Sequence, residues 1–283
     1  MGKITFAALL LWAGGATAQT PAAPPPPAYG WKHGLVAGLT LTQVSFTDWT
    51  QGGSNALAYT MSANGQASEE EEGSNWTNLY KFAFGQTRLG DQGLRKTDDM
   101  IDLSTVYSYK IGSLVNPYAG ATLKTQFAKG FMYNADGTST EVSKFFDPAY
   151  LTQGAGASYQ PAKEVTTRLG IGLREIVTSD FNQYADDPAT SEIEKSSVDG
   201  GLESVTNVEW HLEETILLAS QLQLFSAFKR MDEVIVRGNL SVTGKVNKYI
   251  SAIFSLEIVN EKRVSPRTQV KESIALGLSY TIF

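Results

Sequence analysis

"VKESIALGLSYTIF", residues 270–283, ends the chain. In steps of two, Ile274, Leu276, Leu278, Tyr280 and Ile282 are apolar, and Ser273, Ala275, Gly277, Ser279 and Thr281 between them are small or weakly polar. Successive side chains of a strand point to opposite faces, so this is a strand with one greasy and one small face. Chain ends usually fray. A strong strand at the very end fits a sheet that must close on itself, with its larger side chains turned to lipid.

Working back through the chain, the same period of two recurs between turn signals. Eleven further candidate strands fall at 33–46, 55–67, 75–86, 99–111, 117–127, 150–160, 164–176, 198–212, 216–228, 233–246 and 249–259. The first slips from Leu35, Ala37, Leu39 and Leu41 to Val44 and Phe46, which reads as a bulge. The connections alternate in kind. "SEEEEGS", "GSLVN", "PAK", "EET" and "NK" are short, whereas most of those between them are longer, notably 128–149 and 177–197. Short turns on one side of a membrane and long loops on the other belong to an outer-membrane barrel, and a soluble sandwich requires no such alternation. The fold expected is all-β: a transmembrane, antiparallel, up-and-down barrel of about 12 strands over residues 31–283.

The front of the chain fits export. "MGKITFAALLLWAGGATAQT" places a lysine before a short apolar run and Ala16-Thr17-Ala18 before Gln19, the pattern of a signal peptide over residues 1–18. Residues 19–30 form a proline-rich periplasmic segment that is either a stiff spacer or a disordered terminus. The chain has no cysteine, so it has neither a lipid-anchor site nor a disulfide framework. After the signal no apolar run reaches the length of a membrane helix. The mean hydropathy of −0.16 is compatible with a barrel that alternates lipid-facing and polar residues. A net charge of −6 argues against a nucleic-acid partner.

Aromatic residues on the apolar parity fall into two bands. Trp76, Tyr159, Trp210 and Tyr280 lie near the periplasmic ends, and Phe46, Phe84, Phe127 and Phe228 near the outer ends, as two bilayer interfaces would select. The opposite parity assigns Lys81, Asp102, Lys124, Arg168, Glu203, Glu209, Arg237, Glu257 and Lys271 to the lumen. A barrel of this size is roughly 25 Å across its backbone, which leaves a narrow passage between side chains. The inward charges therefore either line a pore or close it by pairing with one another.

Several blocks then resemble a known family. They are "VSFTDWTQGGSNALAY" (44–59), "KTDDMIDLSTVYSYKIG" (96–112), "KTQFAKGF" (124–131), "FFDPAYLTQGAGASYQP" (145–161), "LFSAFKRMDEVIVRGNLSVTGKVNKYISA" (224–252) and "VKESIALGLSY" (270–280). In order along the chain, they resemble a family of uncharacterised Gram-negative outer-membrane β-barrel proteins, a domain of unknown function. The resemblance implies a barrel in the outer membrane and no particular activity. The acidic stretch around 177–199 departs from that pattern, and Phe283, which sits off the parity of Tyr280 and Ile282, departs from the commonest barrel ending.

Catalysis finds little footing. The two histidines, His33 and His211, sit at predicted periplasmic ends, away from the outer rim where a barrel hydrolase would need its base. No cofactor is expected. Asp186, Asp187, Glu192 and Glu194, in the stretch 180–194, are weak candidates for a Ca²⁺ site, because hard cations take oxygen ligands. The first outer loop, 47–55, could fold Trp49 over the mouth or against the rim. The partners expected are outer-membrane lipid and lipopolysaccharide, the barrel-assembly machinery during insertion, and a small solute. The reading is a small-solute channel or transporter with a charged lumen, with a non-conducting surface or envelope-structural barrel as the alternative.

Overall fold

The computed structural model describes residues 29–46, 53–187, 190–262 and 264–282. The expected signal peptide, most of the proline-rich segment, Trp49 and Phe283 lie outside them. Fourteen strands occur in chain order: β1 (Gly30–Val44), β2 (Ala56–Glu70), β3 (Ser74–Leu89), β4 (Arg95–Tyr109), β5 (Val115–Thr125), β6 (Gly130–Tyr133), β7 (Ser139–Ser143), β8 (Ala149–Ala162), β9 (Val165–Val177), β10 (Ser196–Glu213), β11 (Ile216–Ala227), β12 (Ile235–Lys245), β13 (Ile250–Asn260) and β14 (Gln269–Thr281). Twelve of them form a closed antiparallel barrel in sequence order, with β14 pairing back onto β1, and β6 and β7 form a separate hairpin between β5 and β8. The closing ladder runs from Val36↔Thr281 to Thr40↔Gly277, and closure pairs strand edges that would otherwise stay open.

Each barrel strand falls on one of the stretches whose alternation predicted it. The physical reason is that the two faces meet different surroundings. On the outer face Ile171, Trp210, Ile274, Leu276, Leu278 and Tyr280 are all more than half exposed. On the inner face Tyr118, Val205, Glu203, Phe225 and Arg174 are buried. A belt of exposed aliphatic side chains around a closed barrel is the surface of a membrane-spanning barrel.

Connections at one end of the barrel are short: 71–73, 110–114, 163–164, 214–215 and 246–249. The opposite end carries the longer segments 126–148 and 178–195, with the β6–β7 hairpin inside the first and a 3₁₀ turn, Asn182–Tyr184, inside the second. The barrel thus has a short-turn end and a long-loop end. A second 3₁₀ turn, Phe228–Arg230, follows β11.

One local expectation fails. The β1–β2 ladder runs without a register shift from Gly30↔Glu70 to Val44↔Ala56, so β1 has no bulge. The shifts occur elsewhere: between Gly85 and Gln86, between Tyr159 and Ala162, and between His211 and Glu213. Without a bulge Val44 keeps the lumen parity. Phe46 lies past the strand end, where its amide donates to Asn55 Oδ1 at 2.7 Å. Its ring lies over Gly53, where an added Cβ would come within 2.6 Å of Phe46 Cζ. Of the two apolar side chains that suggested a bulge, Val44 ends β1 in register and Phe46 packs in the mouth loop.

Candidate functional site: a charged lumen

Three neighbouring cavities lie along the inner wall. The first, about 400 Å³ and much the widest of the three, lies toward the short-turn end and is lined mainly by neutral polar side chains such as Asn75, Asn116, Gln160 and Asn207. The second, about 40 Å³, shares Arg168 and Gln221 with the first and is lined by Lys81, Asp102, Lys124, Glu203 and Tyr118. The third, about 20 Å³, shares Lys124 with the second and is lined by Tyr150, Arg174 and Arg237.

Sheet register assembles the central group. Lys81 of β3 lies directly opposite Asp102 of β4, and Asp102 opposite Lys124 of β5. Lys124 in turn lies opposite Tyr150 of β8. The Asp102 carboxylate takes one of its two neighbours: Lys124 Nζ is 3.5 Å from Asp102 Oδ2. Opposite charges on cross-strand neighbours attract at this range.

Glu203 reaches over the sheet. Gly172 of β9 and Gly154 of β8 clear its path: an added Cβ on Gly154 would sit 2.6 Å from Glu203 Oε2, and one on Gly172 would sit 3.4 Å from Glu203 Cβ. Gln223 Nε2 donates to Glu203 Oε1 at 2.9 Å. Arg168 lies over the Tyr118 ring, with its guanidinium carbon 5.5 Å from the centroid.

Farther toward the long-loop end, ion pairs cross the lumen. Glu261, just past β13, accepts from Arg174 of β9 at 2.8 Å and from Arg237 of β12 at 2.7 Å, and it is only 1 % exposed. Both guanidinium groups also stand over the Tyr150 ring, at 5.5 and 4.9 Å. Lys271 of β14 pairs with Asp98 of β4 at 3.0 Å, although four ladders separate the two strands.

Lys81, Asp102, Lys124, Arg168 and Glu203 thus surround one cavity, and Arg237 lines the next. Glu257 lies opposite Lys271 on β13, nearer the long loops. Glu209 is exposed at the short-turn end, where its amide donates to the Glu164 carbonyl at 2.8 Å. Tyr118, Tyr150 and Arg174 were missed, although they share the alternation that located Lys124 and Arg168. Glu261 had no such signal, because it stands beyond the strand in a loop that turns inward.

Among the interface aromatics, Trp76 donates from Nε1 to Thr105 Oγ1 at 2.8 Å on the outer face and meets Trp31 edge-on at 5.6 Å. Tyr159, Trp210, Tyr280, Phe127 and Phe228 are all exposed, and the Phe228 ring lies against Gly200. Phe84 is partly exposed and pairs opposite Met61. His33 stacks on Trp31 at 5.8 Å near the short-turn end.

The acidic loop is held by its own carboxylates. Glu194 accepts from the Asp187 amide at 3.0 Å and from Thr190 Oγ1 at 2.5 Å, while its own amide donates to Asp186 Oδ1 at 3.0 Å. Those hydrogen bonds hold the Glu194 carboxyl down at about 2, with the Thr190 bond the largest cause. Among the described residues no group of three or more acidic or histidine side chains converges to hold a metal. Asp186, Asp187, Glu192 and Glu194 shape the loop and form no such cluster.

Comparison with known proteins gives the following. No curated protein matches the chain. Among solved structures, the translocator domain of the autotransporter NalP from Neisseria meningitidis is 11% identical, covers 90% of each chain and gives a TM-score of 0.41. An outer-membrane channel from Pseudomonas putida F1 is 12% identical, covers 92% of this chain and 98% of its own, and also gives 0.41. The NanC porin is 12% identical, covers 88% and 98%, and gives 0.39. Residues 41–131, which take in the first three of the quoted sequence blocks and stop before the last three, match the model of a family described as protein of unknown function (DUF3078).

Proposed function

We propose that this chain is an outer-membrane barrel, exported behind a cleaved signal peptide, that passes or binds a small solute in a charged lumen. The observation that carries the reading is the row of cavities on the inner wall, in which Lys81, Asp102, Lys124, Arg168 and Glu203 line one space. Charged side chains turned into a confined aqueous space are how barrel lumens select what enters. Short turns at the end that holds both strand termini support a periplasmic location for that end.

A non-conducting barrel is favoured by one specific observation, the pairing of Arg174 and Arg237 on Glu261 across the inner wall. The two readings separate in planar bilayers. Purified, refolded protein is expected to give steady single-channel steps. Glu261→Gln, which frees both arginines, is expected to enlarge those steps. Bilayers that stay silent for both the native chain and Glu261→Gln would sink the channel reading and leave the structural barrel.

A further inference from the structure

The central cavity holds more cation than anion. Lys124 has Asp102, but among the described residues neither Lys81 nor Arg168 has a carboxylate within 4.0 Å. Two polar atoms at the same cavity are buried without a hydrogen-bond partner, Arg168 Nε and Tyr118 Oη. Tyr118 itself is only 7% exposed. Toward the long loops the imbalance continues, with Arg174 and Arg237 sharing the single carboxylate of Glu261. From Lys81 to Glu261 the cavity walls carry Lys81, Lys124, Arg168, Arg174 and Arg237 against Asp102, Glu203 and Glu261. Five positive charges against three stand inside a chain whose net charge is −6.

This arrangement has a physical direction. A buried donor with no acceptor is costly, and an unpaired buried cation costs more. Donors from a lysine, an arginine and a tyrosine facing one space are complementary to an oxyanion, and charge-assisted bonds to such a group are the strong ones. The same cavity also presents Leu79, Val106 and Val205 from β3, β4 and β10. Polar groups at one side and aliphatic wall at another suit a solute with a charged head and a short apolar body.

We infer that the central cavity is a binding site for a small organic acid, its carboxylate held by Lys81, Arg168 and the Tyr118 hydroxyl and its carbon chain against Leu79, Val106 and Val205. The inference rests on the solute-binding reading above and names the class of solute. The wider cavity toward the short-turn end shares Leu79, Val106 and Arg168 with this site, so the solute is expected to enter from that side.

Calorimetric titration of the refolded barrel in detergent tests the site without reference to conduction. Sodium butyrate is expected to bind and sodium phosphate to bind about tenfold more weakly, the difference being the lost contact of the apolar body. Lys81→Gln and Arg168→Gln are each expected to weaken butyrate about tenfold. Lys129→Gln, just before β6 and far from the cavity, is expected to leave it unchanged. The unboiled gel mobility of each variant reports folding. Should Arg168→Gln fail that check, Lys81→Gln, whose side chain makes no ion pair to lose, decides. Absence of butyrate binding to the native barrel, equal binding by Lys81→Gln, or phosphate bound as tightly as butyrate would each overturn the inference. Butyrate binding with silent bilayers would sink conduction and leave the site standing, whereas conducting bilayers with no butyrate binding would do the reverse.

Discussion

Asp147 shows how much one carboxylate can organise at the long-loop end. It is 3% exposed and accepts from Thr178 Oγ1 at 2.6 Å, Ser179 Oγ at 2.8 Å, the Asp180 amide at 3.0 Å and the Ser179 amide at 3.1 Å. Burial pulls its carboxyl upward, but these donors together outweigh it and hold it below the ordinary carboxylate range. The sign follows from linkage. A carboxyl whose folded value is depressed adds stability that is complete above its unfolded value, about 4, and is lost as pH falls through the lower folded value. Loop 178–187 should therefore stay ordered at neutral pH and loosen in acid. Amide exchange at Ser179 and Asp180 checks this: protection should fall below about pH 4 in the native chain, and Asp147→Asn should remove that pH dependence. Protection that is flat with pH in the native chain would show that Asp147 does not hold the loop.

At the scale of the element, strand β14 tests the assignment of faces. Ile274 is 86% exposed and pairs opposite Phe254, in the middle of β13, whereas Leu278 pairs opposite Ile250 at the start of that strand. Ile274 is therefore the position nearer the centre of the hydrocarbon, and Leu278 lies toward an interface. Ser273, one residue earlier, turns inward and shares a hydrogen bond with Ser255 at 2.7 Å. Ile274→Arg should cost about 2–4 kcal/mol of folding free energy in lipid vesicles, and Leu278→Arg about 1 kcal/mol or less. Ser273→Arg, facing the lumen, should cost less than Ile274→Arg. Equal losses at 273 and 274 would mean that the two faces are not the lipid and lumen faces described.

Strands such as β14 were legible because two environments, lipid and lumen, each constrain alternate residues, and the period survives local noise. That logic also located Lys81, Asp102 and Lys124 on one inner face. It failed where the environment changes within a segment. Val44 ends β1 in unbroken register and Phe46 begins a mouth loop, so the apolarity of Phe46 marked packing on Gly53 and no change of register. It was silent on Glu261 and on the β6–β7 hairpin, whose positions depend on partners distant in sequence. Glu261 finds Arg174 only because the segment after β13 reaches inward to β9, four ladders away around the barrel, and no periodicity within either strand records that.

At the scale of the whole molecule, the barrel and the layer above it are held by different forces. The barrel wall is a closed set of backbone ladders. The layer at the long-loop end is tied by side chains: Asp147 to 178–180, Lys144 to Asp180, and Tyr184 Oη to the Val142 carbonyl at 3.2 Å. Phe181 and Ala185 are buried within it, at 8% and 1% exposure. Deletions should therefore act by where they cut. Removing 190–194 takes away exposed loop and the Glu194 hydrogen bonds, and both insertion into vesicles and protease resistance of the β6–β7 hairpin should survive. Removing 180–194 also takes away Phe181, Ala185 and the Asp180 amide, so the hairpin should become protease-sensitive. The barrel should still insert, because none of its ladders includes these residues. Limited proteolysis of both variants in lipid vesicles, with unboiled gel mobility as the measure of insertion, separates the two effects. Failure of the longer deletion to insert would show that the loop layer is needed to close the wall, and an unchanged hairpin would show that the ties across the loops do not hold it in place.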